Sequence, residues 1–311
     1  MTGHDAGSHC YGIDIGGSKI ELVAFDAAMQ ATLRQRIDTP RTDYAAFLDA
    51  VCALVDDADG VHDSVCRTIG IGLPGVRDHA SGRQLSANVP ALTGQRVAAD
   101  LEARLQRPLR IGNDLQCFAL SEANGGAAAG YPSMIGAILG TGAGGGYCID
   151  GRLVVGHNGI AGEWGHWSIP ASLLAKHDLP LLTCGCGLQG CVECYVSGSG
   201  MAALHRRLGG DATDATSVIA TARDGDAGAR EALAIHLDLL GHVFASLVMA
   251  VDPHVIVLGG GLSRHQPLYT DLPAAVQAHL FAGMRVPPIL PPEFGDAGGA
   301  RGAALLARQA A

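Results

Sequence analysis

Apolar residues along the chain occur in two patterns, short continuous runs and longer stretches with helical spacing. The short runs end in turns rich in glycine or proline, as buried strands do, and the longer stretches place apolar residues three or four positions apart. The runs predict strands at residues 10–15, 20–25, 69–73, 109–111, 134–139, 147–149 and 255–258. The longer stretches predict helices at residues 44–58, 97–107, 115–123, 227–251 and 302–309. Because strands alternate with helices, the pattern favours an α/β fold.

Both halves of the chain begin in the same way, with an apolar strand, a glycine-rich turn and a second strand. The turn is Gly16-Gly17-Ser18 in the first half and Gly140 to Gly146 in the second, and no flexible linker separates the halves. This repeat predicts two similar α/β domains that face each other across a cleft. We expect a small domain of residues 1–117, joined by a C-terminal helix at about 298–311, and a large domain of residues 118–297.

Glycine is the residue type that departs most from ordinary composition. The chain has 44 glycines among 311 residues, about twice the usual share of about 7%. No G-X-Y period exists, which excludes collagen, and 48% hydrophobic with only 16% charged residues excludes disorder. The glycines must therefore serve an ordered fold, and clusters of them at strand ends are typical of places where the backbone approaches a ligand.

Charge and cysteine content narrow the class of protein further. A net charge of −9 argues against a general nucleic-acid binder. Nine cysteines, an odd number, follow a polar N-terminal segment with no apolar leader, which is untypical of a secreted disulfide framework. No run of about 18 apolar residues is present, so we expect no membrane span. The predicted setting is a reducing cytoplasm.

The first candidate site is the turn after the first predicted strand, which contains Asp14, Gly16, Gly17, Ser18 and Lys19. Two residues without a Cβ let backbone N–H groups approach a phosphate, while the serine adds a hydroxyl group and the lysine a positive charge. Asp14 could hold Mg²⁺ or its water shell. The alternative interpretation is an ordinary hairpin turn.

Two further glycine-rich turns follow predicted strands in the second half, Gly140-Thr141-Gly142 and Gly259-Gly260-Gly261. The first is not a P-loop, because no lysine follows, and not a dinucleotide fingerprint, because strand-like sequence follows. We expect it to clamp a phosphate together with the first turn. The second could accommodate a nucleotide base or ribose, although each could also be a plain tight turn.

Asn113 and Asp114 lie where a predicted strand ends and a helix begins. Ligands of α/β sheets bind at such strand ends, and a carboxylate there could accept the proton of an attacking hydroxyl group. The alternative is that Asp114 caps the N-terminus of the helix.

The most specific group of residues is a metal-binding pattern. Cys184, Cys186 and Cys191 bring three thiols into eight residues, and either His166 or Cys194 would complete a tetrahedral Zn²⁺ site. With four protein ligands the zinc would be structural rather than catalytic. The alternative is a group of buried reduced cysteines.

Two glutamates accompany this pattern in sequence. Glu163 lies three residues before His166, and Glu193 lies two residues after Cys191. Carboxylates held rigidly by a nearby metal centre suit bidentate contacts to sugar hydroxyl groups. Either could instead be a solvated loop residue.

Together these motifs resemble those of the ROK family, which contains bacterial sugar kinases and sugar-responsive repressors. The resemblance covers nearly the whole chain and implies an actin-like, ribonuclease-H-like fold of two domains with ATP in the cleft. The segments that carry it are YGIDIGGSK at 11–19, LGTG at 139–142, GEWGH at 162–166, CGCGLQGCVE at 184–193 and VLGGGLS at 257–263.

The resemblance also implies roles for individual residues. Asp114 would be the catalytic base on a sugar hydroxyl group, and His166 would bind both zinc and sugar. The implied cofactors are ATP, Mg²⁺ and a structural Zn²⁺. Other sugar contacts would come from Asn88, Asn113, Glu163 and Glu193.

Within the family, segments outside the site are most similar to bacterial kinases of N-acetyl-D-glucosamine. These segments are residues 45–54, 87–101, 118–123 and 295–299. The implied reaction is ATP-dependent phosphorylation of that sugar at its 6-hydroxyl group. Fructose, mannose and glucose are alternatives, because Thr39-Pro40-Arg41 is shared with fructokinases and mannokinases.

The chain departs from the family pattern in two places. Leu115-Gln116 stands where Ala-Asn is common, which alters the wall behind Asp114 and bears on the choice of sugar. Ser18 replaces a more usual threonine and keeps the hydroxyl group.

A second class of function within the family is sugar-sensing repression of transcription. Only ten residues precede Tyr11, too few for a helix-turn-helix domain, and the negative charge does not favour DNA. We therefore expect a cytoplasmic enzyme whose partners are a sugar and ATP, with no nucleic-acid or membrane partner. Dimers are common in the family, and a homodimer is a further expectation.

Overall fold

The computed structural model describes residues 9–78, 80–86, 88–295 and 298–309. The strands in this part of the chain are β1 (Cys10–Ile15), β2 (Lys19–Phe25), β3 (Ala31–Asp38), β4 (Ile69–Leu73), β5 (Val76–Arg77), β6 (Gln84–Leu85), β7 (Leu109–Asn113), β8 (Ser133–Leu139), β9 (Ala143–Ile149), β10 (Arg152–Leu153), β11 (Val255–Gly259) and β12 (Ile289–Leu290). The helices are α1 (Tyr44–His62), α2 (Val97–Leu105), α3 (Asp114–Ala123), α4 (Ala171–Lys176), α5 (Glu193–Val196), α6 (Gly198–Arg207), α7 (Ala215–Arg223), α8 (Ala227–Val251), α9 (Pro267–Gln277) and α10 (Gly298–Gln309). Short 3₁₀ turns occupy Pro90–Leu92, Trp164–His166 and Gly261–Arg264.

The chain divides into two compact units, each with its own sheet. Unit 1 contains the chain up to Asn124, the segment Leu153–Ala161 and the C-terminal segment with α10; unit 2 contains Gly125–Arg152 and Gly162–Gly295. The boundaries predicted from sequence, 1–117 with 298–311 and 118–297, stay a prediction. Residues 310 and 311 of that helix lie outside the described residues, as do Ala87, Asp296 and Ala297 of the segments compared above.

The two units have the same sheet topology. The strand order is β3-β2-β1-β4-β7 in unit 1 and β10-β9-β8-β11-β12 in unit 2. In unit 1, β1 and β2 form an antiparallel hairpin, β1 runs parallel to β4, and β4 runs parallel to β7. In unit 2, β8 and β9 form an antiparallel hairpin, β8 runs parallel to β11, and β11 runs parallel to β12. The predicted duplication of an α/β domain is therefore present.

Unit 1 is packed around α10, which contacts β1, β4 and α3. A methyl group added at Gly12 of β1 would lie 1.8 Å from the carbonyl oxygen of Ala300, and one at Gly70 of β4 would lie 1.7 Å from that of Ala303. At these positions only glycine lets helix and strand backbones come so close. The predicted helix 302–309 accordingly begins earlier, at Gly298.

Unit 2 is packed around α8, whose buried face includes Leu239, Leu240 and Phe244. This helix contacts α5, α6, α7 and α9. By length and composition α8 is apolar enough to cross a membrane, but 56% of its most apolar window is buried inside the protein. A core helix passes the same test, so α8 alone is weak evidence for a membrane span.

Some predicted elements have different bounds, and some were missed. Residues 143–146 were predicted as part of a turn but begin β9, because Gly145 packs against β8, where a methyl group would lie 2.1 Å from the carbonyl oxygen of Gly136. Strand β3 was missed because its exposed edge is polar, and its Arg34 and Arg36 pair with the buried Glu21. Helices α4, α6, α7 and α9 were also not predicted.

Candidate active site and metal centre

Asp14 lies at the end of β1, in contact with the first turn of α10. A methyl group at Gly299 would lie 2.5 Å from the Asp14 carboxylate, so glycine is what lets the helix N-terminus reach this side chain. The following turn is closed by a backbone hydrogen bond from Gly16 to Lys19, of 2.9 Å, and Thr39 donates its hydroxyl to the carbonyl of Gly16. The predicted turn is thus held by its neighbours at fixed geometry.

Ser18 and Lys19 of this turn have exposed side chains, and Asn88 is exposed beside it. A methyl group at Gly17 would lie 3.4 Å from the carbonyl oxygen of Asn88, which is van der Waals contact. Unit 1 therefore brings Asn88, which lies far from the turn in sequence, next to the first glycine motif.

Asp114 is the first residue of α3, but it is not the helix cap. That role belongs to Asn113, whose Oδ1 accepts the backbone N–H groups of Leu115 (2.9 Å) and Gln116 (3.4 Å). The Asn113 side-chain amide donates to the carbonyl oxygen of Gly75 at 2.9 Å. The Asp114 carboxylate, half-buried, accepts from the N–H of Leu115 at 3.0 Å.

The carboxylates of Asp14 and Asp114 belong to one neighbourhood in unit 1. A methyl group at Gly72 would lie 3.6 Å from both an Asp14 oxygen and the Cα of Asp114, and 3.3 Å from the sulfur of Cys117. Burial raises the pKa of the Cys117 thiol well above its ordinary value, and the negative charges of the two aspartates raise that pKa further. The Cys117 thiol is therefore uncharged, and it forms part of the wall of this site.

Gln116, which with Leu115 departs from the family pattern, is buried and points at the segment 153–161. Its side-chain nitrogen donates to the carbonyl oxygens of Gly159 at 3.0 Å and Ala161 at 3.4 Å. The segment is also closed on itself, because Ala161 donates its N–H to the carbonyl of Val155 at 3.3 Å.

In unit 2, the turns of Gly140–Gly142 and Gly259–Gly261 touch each other. Gly260 has φ of +76°, and a methyl group there would lie 2.6 Å from the carbonyl oxygen of Leu139. Gly198, at the start of α6, donates its N–H to the carbonyl of Gly140 at 2.7 Å. These contacts join three glycine-containing segments at the carboxyl ends of β8 and β11.

A pocket of about 370 Å³ opens beside these turns, a size within the range of small-ligand sites. Its walls come from both turns and from the N-termini of α6 and α7. The lining residues are Leu139, Gly140, Thr141, Gly198, Ser199, Thr213, Asp214, Ala215, Thr216, Ile219, Gly261 and Leu262.

Sequence reasoning missed the walls supplied by α6 and α7. The available signals were the small-residue run at 197–200 and the capping pattern of Asp214 with Ser217, whose reciprocal hydrogen bonds are present. Neither signal indicates a ligand until the fold places both helix ends beside Gly140.

The predicted metal ligands come together in unit 2. His166, Cys184, Cys186 and Cys191 place one ligand atom each within 4.8 Å of one another, and among the described residues Cys194 is not part of this group. The sulfur of Cys184 lies 3.7 Å from Nδ1 of His166, and the sulfurs of Cys186 and Cys191 lie 3.6 Å apart. Tetrahedral Zn²⁺ would separate such ligand atoms by about 3.5–3.8 Å, so the donor set fits zinc.

The ligands are held by a compact loop and by a 3₁₀ turn. Bridges join Thr183 to Gln189 and Ser168 to Cys191. A methyl group at Gly165 would lie 1.8 Å from the carbonyl oxygen of Ala143, so the turn that carries His166 is pressed against the start of β9.

Glu163 and Glu193 flank the imidazole of His166. The Glu163 carboxylate lies 3.8 Å from Nε2, and the Glu193 carboxylate lies 3.8 Å from Nδ1. Glu193 also accepts the N–H of Ala143 at 3.2 Å, which connects it to the Gly142 turn. Burial raises the pKa of Glu163; the nearby His166 acts in the opposite direction, and the charge of Glu193 raises that pKa further.

Comparisons with known proteins agree on one family. The chain matches the sequence profile of the ROK family over residues 10–310. It is 46% identical over 299 residues to an N-acetylgalactosamine kinase, AgaK, of Shewanella sp. (strain ANA-3), covering 95% of this chain and 96% of that protein. It is 44% identical over 298 residues to an N-acetyl-D-glucosamine kinase of Salmonella arizonae, covering 95% of this chain and 98% of that protein.

The fold agrees with the same family. A ROK hexokinase from Thermus thermophilus superposes with a TM-score of 0.86 at 29% identity, covering 97% of this chain and 98% of that one. The prediction of an α/β chain with the actin-like sugar kinase fold is confirmed.

Proposed function

Because this chain belongs to the ROK family, we propose that it is an ATP-dependent kinase that phosphorylates the 6-hydroxyl group of N-acetyl-D-glucosamine. The observation that carries the proposal is that kinases of N-acetylhexosamines match 95% of the chain at 44–46% identity. The geometry within each unit supports it, because every motif expected for such a kinase lies on an ordered turn or helix end.

In the proposed reaction Asp114 is the catalytic base. Its carboxylate takes the proton of the sugar hydroxyl group as the terminal phosphoryl group of ATP is transferred to that oxygen and ADP leaves. Asn113 caps α3, so the helix start does not depend on Asp114 for its cap. Asn88 and the amide of Asn113 add sugar contacts. Positioning and charge stabilisation account for most of the rate in such transfers.

The glycine turns are the residues that would bind Mg²⁺-ATP, the donor of the phosphoryl group. In unit 1, Gly16, Gly17, Ser18 and Lys19 would bind phosphate, and Asp14 would hold Mg²⁺ or its water shell. In unit 2, Gly140, Thr141 and Gly142 would bind phosphate. The pocket beside Gly259, Gly260 and Gly261 takes the adenosine, because it joins glycine backbone to the apolar side chains of Ile219 and Leu262.

The zinc site would organise sugar recognition rather than chemistry. His166, Cys184, Cys186 and Cys191 would fill all four positions of a tetrahedral ion, which leaves none open for a substrate. The consequence is a fixed position for Glu163 and Glu193, whose carboxylates accept hydrogen bonds from sugar hydroxyl groups.

The identity of the sugar is tested by ADP release over a panel of sugars. A second candidate is N-acetyl-D-galactosamine, since the relative at 46% identity is named for it. The two sugars differ only at C4, so the ratio of their kcat/KM values decides between them. Glucose, mannose and fructose lack the acetamido group, so their kcat/KM values show how much that group contributes to recognition. A preference for one of these three would contradict the proposal.

The catalytic base is tested with Asp114→Asn. We expect kcat to fall by about 10²–10⁴-fold, with the KM for sugar changed far less, because the amide cannot accept the proton. The control is Asp57→Asn, on the exposed side of α1. Undiminished turnover of folded Asp114→Asn protein would contradict the assignment.

We extend the proposal to the assembly and location of the enzyme. A homodimer would give a mass in light scattering of twice 31.8 kDa. Fractionation of cells should place the enzyme in the cytoplasm. A gel shift with DNA of its own promoter should be negative, since the net charge is −9.

A further inference from the structure

Gln116 makes a connection that the proposed chemistry does not use. It lies on the first turn of α3, two residues after Asp114, and only 5% of its surface is exposed. Its side-chain nitrogen donates to two backbone carbonyls, those of Gly159 and Ala161. A buried amide bound to main-chain oxygens fixes the position of the backbone it contacts.

The segment it contacts has a particular place in the chain. Leu153–Ala161 belongs to unit 1, while the residues before and after it belong to unit 2. Ala161 is followed at once by Gly162, which has φ of +104°, and then by Glu163. The backbone of Gly162 packs closely against β9, because a methyl group added at Gly162 would lie 2.4 Å from the carbonyl oxygen of Gly145.

Gln116 thus fixes one end of the short connection that leads to Glu163 and His166. Its backbone N–H is bound by the Asn113 cap, and its side-chain amide binds the segment 159–161. Among the hydrogen bonds described, the carbonyls of Gly159 and Ala161 have the Gln116 amide as their donor. Without it, the hydrogen bond from Ala161 to Val155 would remain as the backbone bond within 153–161 among the described residues.

We propose that Gln116 is a positioning residue for sugar binding: its amide anchors residues 159–161 and thereby sets where the Glu163 carboxylate can lie. This inference rests on the proposed function for the role of Glu163. It makes Gln116 a determinant of affinity for the sugar, without contact to the reacting atoms. Binding that is equal in the ground and transition states changes KM and leaves kcat unaltered.

The test uses Gln116→Met, which keeps the length of the side chain and removes its N–H donors. We expect the KM for the sugar to rise about ten-fold, in line with the loss of a buried hydrogen bond, while kcat and the KM for ATP stay within about two-fold. Gln116→Glu should raise the KM more, because a carboxylate would face two carbonyl oxygens. The matched control is Tyr44→Phe, which removes the hydrogen bond of 2.6 Å to Asp100 between α1 and α2.

A readout independent of activity is hydrogen exchange of residues 155–161, which should accelerate in Gln116→Met and not in Tyr44→Phe. Unchanged exchange there, an equal rise in both KM values, or a fall in kcat at constant KM would overturn the inference. Failure of the proposed function has a separate signature, since the unaltered protein would then phosphorylate none of the sugars. In that case the exchange experiment still decides whether Gln116 anchors the segment.

Discussion

The two units share one strand order but hold their functional side chains by different means. In unit 1 the candidate residues lie at strand ends and helix starts, and α10 fixes them through backbone contacts at glycines such as Gly12 and Gly70. In unit 2 they lie on loops, where four potential metal ligands gather between Glu163 and Glu193. In unit 1 the candidate residues are held by direct backbone packing. In unit 2 a metal ion bound to the four ligands would hold the loops that carry them.

Two units with the same strand order can therefore hold their functional side chains in place by different interactions. Where helix and strand backbones touch, any added Cβ displaces the packed elements. Where a loop is held by a metal, the loop loses its order when the metal is lost, although the sheet beneath it can persist. Substitutions and conditions can therefore disturb one unit at a time.

The largest effect is expected from Gly302→Ala on α10. The new methyl group would lie 1.7 Å from the carbonyl oxygen of Cys117 on α3, so the helix has to shift, and we expect a loss of about 4 kcal/mol or more in the free energy of unfolding. Urea denaturation measures it. Gly60→Ala is the control, because nothing lies within 4 Å of its added methyl group and a helical alanine should gain about 0.5–1 kcal/mol. Equal stabilities for both variants would disprove the role given to the close contacts of α10.

The next effect concerns the metal centre of unit 2. Cys191→Ser should lose the one zinc ion per chain, measured by elemental analysis, because it removes a buried ligand of the group. Amide exchange should accelerate in residues 163–196, while β1, β4 and α10 keep their protection. Cys194→Ser is the matched control and should keep the zinc. Zinc lost from Cys194→Ser, or retained by Cys191→Ser, would show that the ligand set is different.

A smaller effect is expected from acid, through His236 on α8. Burial lowers the pKa of His236 to about 4, and its Nε2 lies 2.8 Å from the carbonyl oxygen of Val196. In the unfolded chain this histidine binds a proton near pH 6.5, and in the folded chain it does so only near pH 4. The free energy of unfolding is therefore highest above pH 6.5 and declines as the pH falls towards 4, by at most about 3 kcal/mol. The measurement is urea unfolding between pH 7 and 4.5.

His236→Gln should make unfolding less dependent on pH over this range, since it keeps an N–H donor for Val196 without the titration. His157→Gln, at an exposed position, should leave the dependence as it is. A His236→Gln protein whose stability falls with acid as steeply as the parent would refute this source of acid sensitivity.

The sequence alone predicts most of what is local in this molecule. The spacing of Cys184, Cys186 and Cys191 indicates a metal site because all three ligands lie on one short loop, and His166 joins them as one of two predicted fourth ligands. The glycine turns follow from strand endings, which local apolar runs reveal. Asp114 is at the predicted helix start, although Asn113 proves to be the cap.

What the sequence does not reveal depends on contacts between distant segments. Ser199 and Asp214 line the pocket beside Gly140 only because the N-termini of α6 and α7 both lie there. The polar segment 31–38 forms strand β3 because it pairs with β2 and because its Arg36 forms an ion pair with Glu21. Such facts are set by tertiary packing, which no local periodicity encodes.

The position of α10 has a consequence for synthesis on the ribosome. Strands β1 and β4 are translated early, but the helix that packs on them is formed by residues 298–309, after the whole of unit 2. Unit 1 must therefore wait, incomplete, while unit 2 is made, at about 5–20 residues per second. A frameshift or premature stop before residue 298 would consequently expose the apolar surface of the N-terminal unit. Quality control of the nascent chain would then act on the part of the protein translated first.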